Sequence, residues 1–170
     1  MCKICDGYTP EEVTAMDAET IAEHGYLLQA VGDSDVDFQS WIYTVGLLDL
    51  AGHPELIVAG APVGRLAPVI SSIARAVVDG EVFAVGDTVS MPIGIGRVGS
   101  VHERHYELDT FAHWHALQDY GAVKADDIEA VQIVLPEAIC TARGRSWQPI
   151  FANPHALVRV AAGPNRRGRH

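Results

Sequence analysis

Residues 55–61, Glu55-Leu56-Ile57-Val58-Ala59-Gly60-Ala61, are apolar through their middle instead of alternating. A strand with no polar face belongs near the centre of a sheet. A helix follows at once. Leu66, Val69, Ile70, Ile73, Ala74 and Val77 recur at helical spacing across residues 62–79, and Gly80 closes the run.

Other elements flank this unit. Thr9 can cap a helix, Pro10 suits its first position, and Glu12 completes a capping box. The spacing predicts a helix over 10–24, with Val13, Met16, Ile21 and Ala22 on its apolar face and Gly25 as its stop. A short strand over 26–31, a polar turn over 32–37 and an alternating strand over 39–46 read as a hairpin with a longer loop. Residues 47–54 read as a connection. A strand is expected over 81–85 and an irregular glycine-rich stretch over 86–96, with Val89, Met91 and Ile93 alternating inside it. Another strand is expected over 97–106. A helix over 109–120 is capped by Asp109 or Thr110, and a buried strand over 130–135 stops at Pro136.

Hairpins interleaved with about three helices give an α+β fold with a mostly antiparallel or mixed sheet. A doubly wound sheet would need a regular strand–helix alternation that is missing here. The expected organisation is one domain over 1–155, with residues 1–8 as a flexible arm and a basic, disordered tail over 156–170.

The 170 residues carry 12 basic and 22 acidic side chains, a net charge of −10. That balance argues against a nucleic-acid partner. No apolar run approaches the length of a membrane span. The start of the chain lacks the apolar stretch of a secretion signal, so a cytoplasmic, reducing location is expected. Three cysteines are too few for a disulfide scaffold.

Five groups of residues could carry chemistry. Cys2 and Cys5 have the spacing of a zinc knuckle, with Cys140 and a histidine such as His24 as completing ligands. A redox dithiol or two idle thiols are the alternatives. His102, His105, His113 and His115 are dense in sequence, but in a strand His102 and His105 point to opposite faces. On a helix His113 and His115 diverge by about 200°. Only a helical turn at 102–105 would set His102 and His105 on one ion. Tyr43, Thr44 and Gly46 end one strand as His53 and Glu55 begin the next, so these ends are expected to form a ligand pocket. In it His53 and Glu55 could act as base and orienter. Gly94-Ile95-Gly96-Arg97-Val98-Gly99 has the outline of a dinucleotide fingerprint but leads into a strand, not a helix. Arg166, Arg167 and Arg169 read as a solvated tail.

An ordered set of segments resembles a known family. Ile21-Ala22-Glu23-His24-Gly25-Tyr26 is followed by Trp41-Ile42-Tyr43-Thr44-Val45-Gly46-Leu47, then His53-Pro54-Glu55-Leu56-Ile57-Val58 and Ala130-Val131-Gln132-Ile133-Val134-Leu135-Pro136. Trp147-Gln148-Pro149-Ile150-Phe151 closes the set. Together they resemble the bacterial domain-of-unknown-function family 4262, and Met1-Cys2-x-x-Cys5-Asp6 resembles its actinobacterial members. The resemblance implies no reaction. It adds weight to His24, and in the pocket reading His24 and Trp147 are expected as walls. The leading expectation is a small-molecule- or cofactor-binding domain, its status as an enzyme open. The competing readings are a zinc or iron metalloprotein and a non-catalytic interaction module. Flavin is the weaker cofactor expectation, and a homo-oligomer is left open.

Overall fold

The computed structural model describes residues 6–32, 40–106 and 109–136, with the backbone of 141–142 and 145–146. The first helix, α1 (Pro10–His24), has the bounds its sequence predicts. Thr9 Oγ1 accepts from the Glu12 N–H at 3.2 Å, and Glu12 Oε2 accepts from the Thr9 N–H at 2.8 Å. Only Asp17 and Ile21 are buried on this helix, so its inward face is narrower than the apolar pattern suggested.

Six strands form one mixed sheet: β1 (Leu27–Val31), β2 (Trp41–Val45), β3 (Glu55–Ala59), β4 (Thr88–Met91), β5 (Gly94–Ser100) and β6 (Ala130–Val134). Their order is β1-β2-β3-β6-β5-β4. All five residues of β3 are buried, as a central position requires. β3 pairs antiparallel with β2 and parallel with β6, and the remaining neighbours are antiparallel. Thr141–Ala142 and Arg145–Ser146 pair separately. The fold is α+β, as read from the sequence.

Alternate residues of the central strands supply two cores. Ile42, Leu56, Val58 and Ile133 pack with Leu66, Val69, Ile70, Ile73, Ala74 and Val77 of α3 (Val63–Val78). Tyr43, Val45, Ile57 and Ala59 pack on the opposite face with Phe111, Trp114 and Leu117, and Ile21 of α1 joins them. Trp114 and Leu117 belong to α4 (Ala112–Asp119), which follows a 3₁₀ turn at Asp109–Phe111. That turn replaces the expected side-chain cap, because Phe111 occupies the cap position with no side-chain bond.

The structure corrects four expectations. Residues 81–84 form no strand, because their donors go elsewhere. The Glu81 N–H bonds Ala76 O, the Phe83 N–H bonds His53, and the Ala84 N–H bonds Asp87. The stretch expected to be irregular contains β4, where buried Val89 and Met91 alternate with exposed Thr88 and Ser90. A two-residue turn joins it to β5, so the glycine fingerprint lies within a hairpin. Gly96 is required there, since a Cβ would stand 2.6 Å from Met91 Cε and 2.9 Å from Val134 O. The strand expected to reach Tyr106 ends at Ser100 and gives way to a 3₁₀ turn at Glu103–His105. The connection after β2 contains a short helix, α2 (Leu47–Ala51).

Candidate functional site

The expected strand-end cluster forms, but it closes on itself. Glu55 opens β3 with its side chain wholly buried. Its Oε2 accepts from the Thr44 hydroxyl at 2.6 Å, and its Oε1 accepts from the N–H groups of Gly46 at 2.8 Å and Leu48 at 3.3 Å. Thr44 Oγ1 in turn accepts from the Leu56 N–H at 2.8 Å. The carboxyl thus satisfies the amides that open α2, which have no partner within the helix. Burial pushes its pKa up to about 7, against the lowering effect of the Thr44, Gly46, Leu48 and Leu47 hydrogen bonds. Gly46 serves packing: its φ is 114°, and a Cβ would lie 2.7 Å from Ile21 Cγ2.

His53 and Glu55 take separate partners. His53 Nδ1 lies 2.6 Å from Pro54 O, and His53 Nε2 accepts from the Phe83 N–H at 3.1 Å. This pattern defines a neutral ring with the proton on Nδ1. His53 ties β3 to the loop after α3. The base-and-orienter pairing expected of it with Glu55 is not formed. His24 is exposed at the end of α1, its Nε2 3.8 Å from exposed Glu23. Cys2, Cys5, Cys140 and Trp147 lie outside the described residues.

The strand that would set His102 and His105 on opposite faces is not formed. His102 caps the 3₁₀ turn, its Nδ1 accepting from the Arg104 N–H at 3.3 Å, and His105 ends that turn. Partial burial, with Arg104 and His102 nearby, holds His105 below its ordinary pKa. Among the described residues no group of three or more His, Cys, Asp and Glu is placed to hold a metal ion.

A second buried carboxylate lies on α1, where that helix packs on the α4 side of the sheet. Asp17 of α1 is 3% exposed, and its Oδ2 stands 3.0 Å from Nε2 of His113 on α4. The imidazole is partly exposed and lines an open groove of about 360 Å³ with Gln29, Val31, Tyr43, Ala112 and Ala116. Tyr43 reaches this groove from β2, because side chains alternate along a strand and its neighbour Thr44 points to the α3 face. The Tyr43 hydroxyl accepts from the main-chain N–H of His113 at 3.1 Å. A phenol from β2 thus meets the first turn of α4, where Phe111 at the cap position makes no side-chain bond. Burial is the largest influence on Tyr43 and holds its pKa above the ordinary value, so the phenol keeps its proton at neutral pH.

The sequence reading named Tyr43 but missed Asp17 and His113 as a pair, since 96 positions separate them. One signal was present. Asp17 sits four residues before Ile21, on the stripe of α1 that must face inward. A carboxylate on a buried stripe requires a partner. A larger open depression of about 420 Å³ runs along α3. Its polar lining, including Ser72, Arg75, Asp79 and Glu81, is exposed and mixed in sign, and it contains no buried charge of this kind.

The family model described as "Domain of unknown function (DUF4262)" matches residues 20–139. The chain belongs to this family. The match spans β1 through β6, the whole sheet, together with α4 and its His113. Asp17 falls just before it. No curated protein and no solved structure matches the chain. Among the described residues, no helix of this DUF4262 protein is long and apolar enough to cross a membrane.

Proposed function

We propose that this DUF4262 domain binds a small molecule in the groove between β1, β2 and the start of α4, with His113 as its polar contact and Asp17 as the group that positions the ring. The observation that carries this reading is the buried Asp17 carboxylate holding an imidazole that remains partly open at the groove. Burying a carboxylate is costly unless it is paired, and a domain with two apolar cores has no packing need for one here. A carboxylate at one ring nitrogen fixes the orientation of the imidazole and favours the proton on that nitrogen. The other nitrogen is then available to a ligand as an acceptor. Apolar Val31, Ala112 and Ala116 supply the non-polar wall that such sites generally have.

Thermal-shift screening of the full chain against a small-molecule library, followed by native mass spectrometry, tests the reading. The expected result is at least one compound that stabilises the wild type and loses its effect in both His113→Ala and Ala116→Leu, the second of which fills the groove. Hits that stabilise both variants as well as the wild type would overturn it.

A further inference from the structure

We infer that the groove selects its ligand through a cationic N–H donor, an ammonium or amidinium group, held by the ring nitrogen of His113 that is not bound to Asp17 and by the Gln29 amide oxygen. This rests on the groove reading above and adds the chemistry of the ligand.

An ionised carboxylate can only accept, so the proton between Asp17 and His113 belongs to the ring. Asp17 Oδ2 stands 3.0 Å from Nε2, which puts that proton on Nε2 and makes Nδ1 of the neutral ring an acceptor. Among the described residues nothing donates to Nδ1, and the side chain is 26% exposed, so a ligand can reach it. Gln29 supplies the second acceptor. It stands partly exposed on β1, the edge strand of the sheet. Its Nε2 donates to Ala30 O at 2.9 Å. The main chain thus holds the amide nitrogen, and the oxygen is the branch left to a ligand.

Charge favours the same class of ligand. Asp17 with a neutral imidazole carries one negative charge, and burial protects it from screening by salt. Among the described residues that line the groove there is no lysine or arginine. The net charge of −10 on the whole chain attracts cations over a longer range. The start of α4 acts in the opposite sense, because a helix N-terminus favours anions. Its His113 N–H, however, already donates to the buried Tyr43 hydroxyl and is not offered to the groove. An anion would therefore meet two acceptors in front of a carboxylate. An ammonium group brings three N–H donors to the same place. Val31, Ala112 and Ala116 beside these acceptors suit a small apolar body attached to the cation.

The test is an amide NMR titration of the full chain with benzylamine, benzamidine, benzoate and benzyltrimethylammonium. All four carry one aromatic ring, and the last keeps the positive charge without an N–H. Benzylamine and benzamidine are expected to move the amide resonances of residues 29–31 and 112–116. The other two are expected to bind at least about tenfold more weakly, the loss of one good hydrogen bond. His113→Ala and Gln29→Leu are each expected to weaken benzylamine about tenfold for the same reason. If His113→Ala does not fold, Gln29→Leu, on a partly exposed edge position, and the four probes on the unaltered chain still decide the matter. Benzoate binding as tightly as benzylamine would overturn the inference, and so would benzyltrimethylammonium doing so. Both results leave the groove reading standing. Silence of all four probes at these residues would overturn both.

Discussion

Two carboxyl groups are buried against one sheet, and they are used differently. Glu55 is enclosed: two amides and a threonine hydroxyl donate to it, and its side chain is wholly buried, so it offers no surface to a ligand. Asp17 is enclosed by a side chain, and that side chain is partly exposed at a groove. The first arrangement fixes a strand end and a helix start. The second fixes the orientation of an imidazole. Burial of a charged group therefore does not mark a site by itself; what matters is whether its partner faces solvent.

The comparison breaks most readily at Glu55. Glu55→Ala leaves three buried donors without an acceptor and is expected to cost about 3–5 kcal/mol, read as a fall in the urea midpoint. A loss below about 1 kcal/mol would show that the network is replaceable by water. Gly46→Ala is next. A Cβ there meets Ile21 and takes a strained φ, so a loss of about 2–4 kcal/mol is expected. Near-wild-type stability would show that α1 can shift away.

Asp17→Asn should do the reverse of Glu55→Ala. It is expected to cost only about 1–2 kcal/mol while abolishing ligand stabilisation in the screen, because the ring it meets is partly exposed and water can serve it. Unfolding as severe as that of Glu55→Ala would make the Asp17–His113 pair a structural brace. A pH series reads the Glu55 carboxyl without a mutation. The Glu55 pKa rises on folding from its ordinary 4.5 to about 7. The folded state therefore holds the proton more tightly. The stabilisation is fully present below about pH 4.5 and is lost as pH rises through about 7, on the order of a few kcal/mol. Glu55→Gln, which mimics the neutral form, should flatten that slope. The smallest expected change is His53→Ala, about 1 kcal/mol, from the loss of the acceptor for the Phe83 N–H.

Much of the fold was legible because its signals are local. The capping box at Thr9 and Glu12 fixed the start of α1, and the apolar run of β3 placed it centrally. The errors also have local causes. Residues 81–84 look like a strand until His53 and Asp87 take their donors. The α2 helix is only five residues long, too short to show a period, and the carboxyl that satisfies its first turn comes from β3. Thr44, Gly46 and Glu55 were correctly grouped, because consecutive strand ends meet across a short connection. Their grouping was read as a pocket, and the structure shows a closed network instead.

The sequence by itself determined the α+β class, the central strand, the main helices and the family. These follow from periodicity, caps and motif order, each confined to a few neighbouring residues. Only the tertiary structure decided which carboxylate faces a groove. Asp17 and His113 meet because α1 and α4 pack on the same face of the sheet, and Tyr43 joins them because alternation along β2 turns it away from Thr44. No short-range pattern encodes that meeting, since it depends on the packing of elements that lie far apart along the chain.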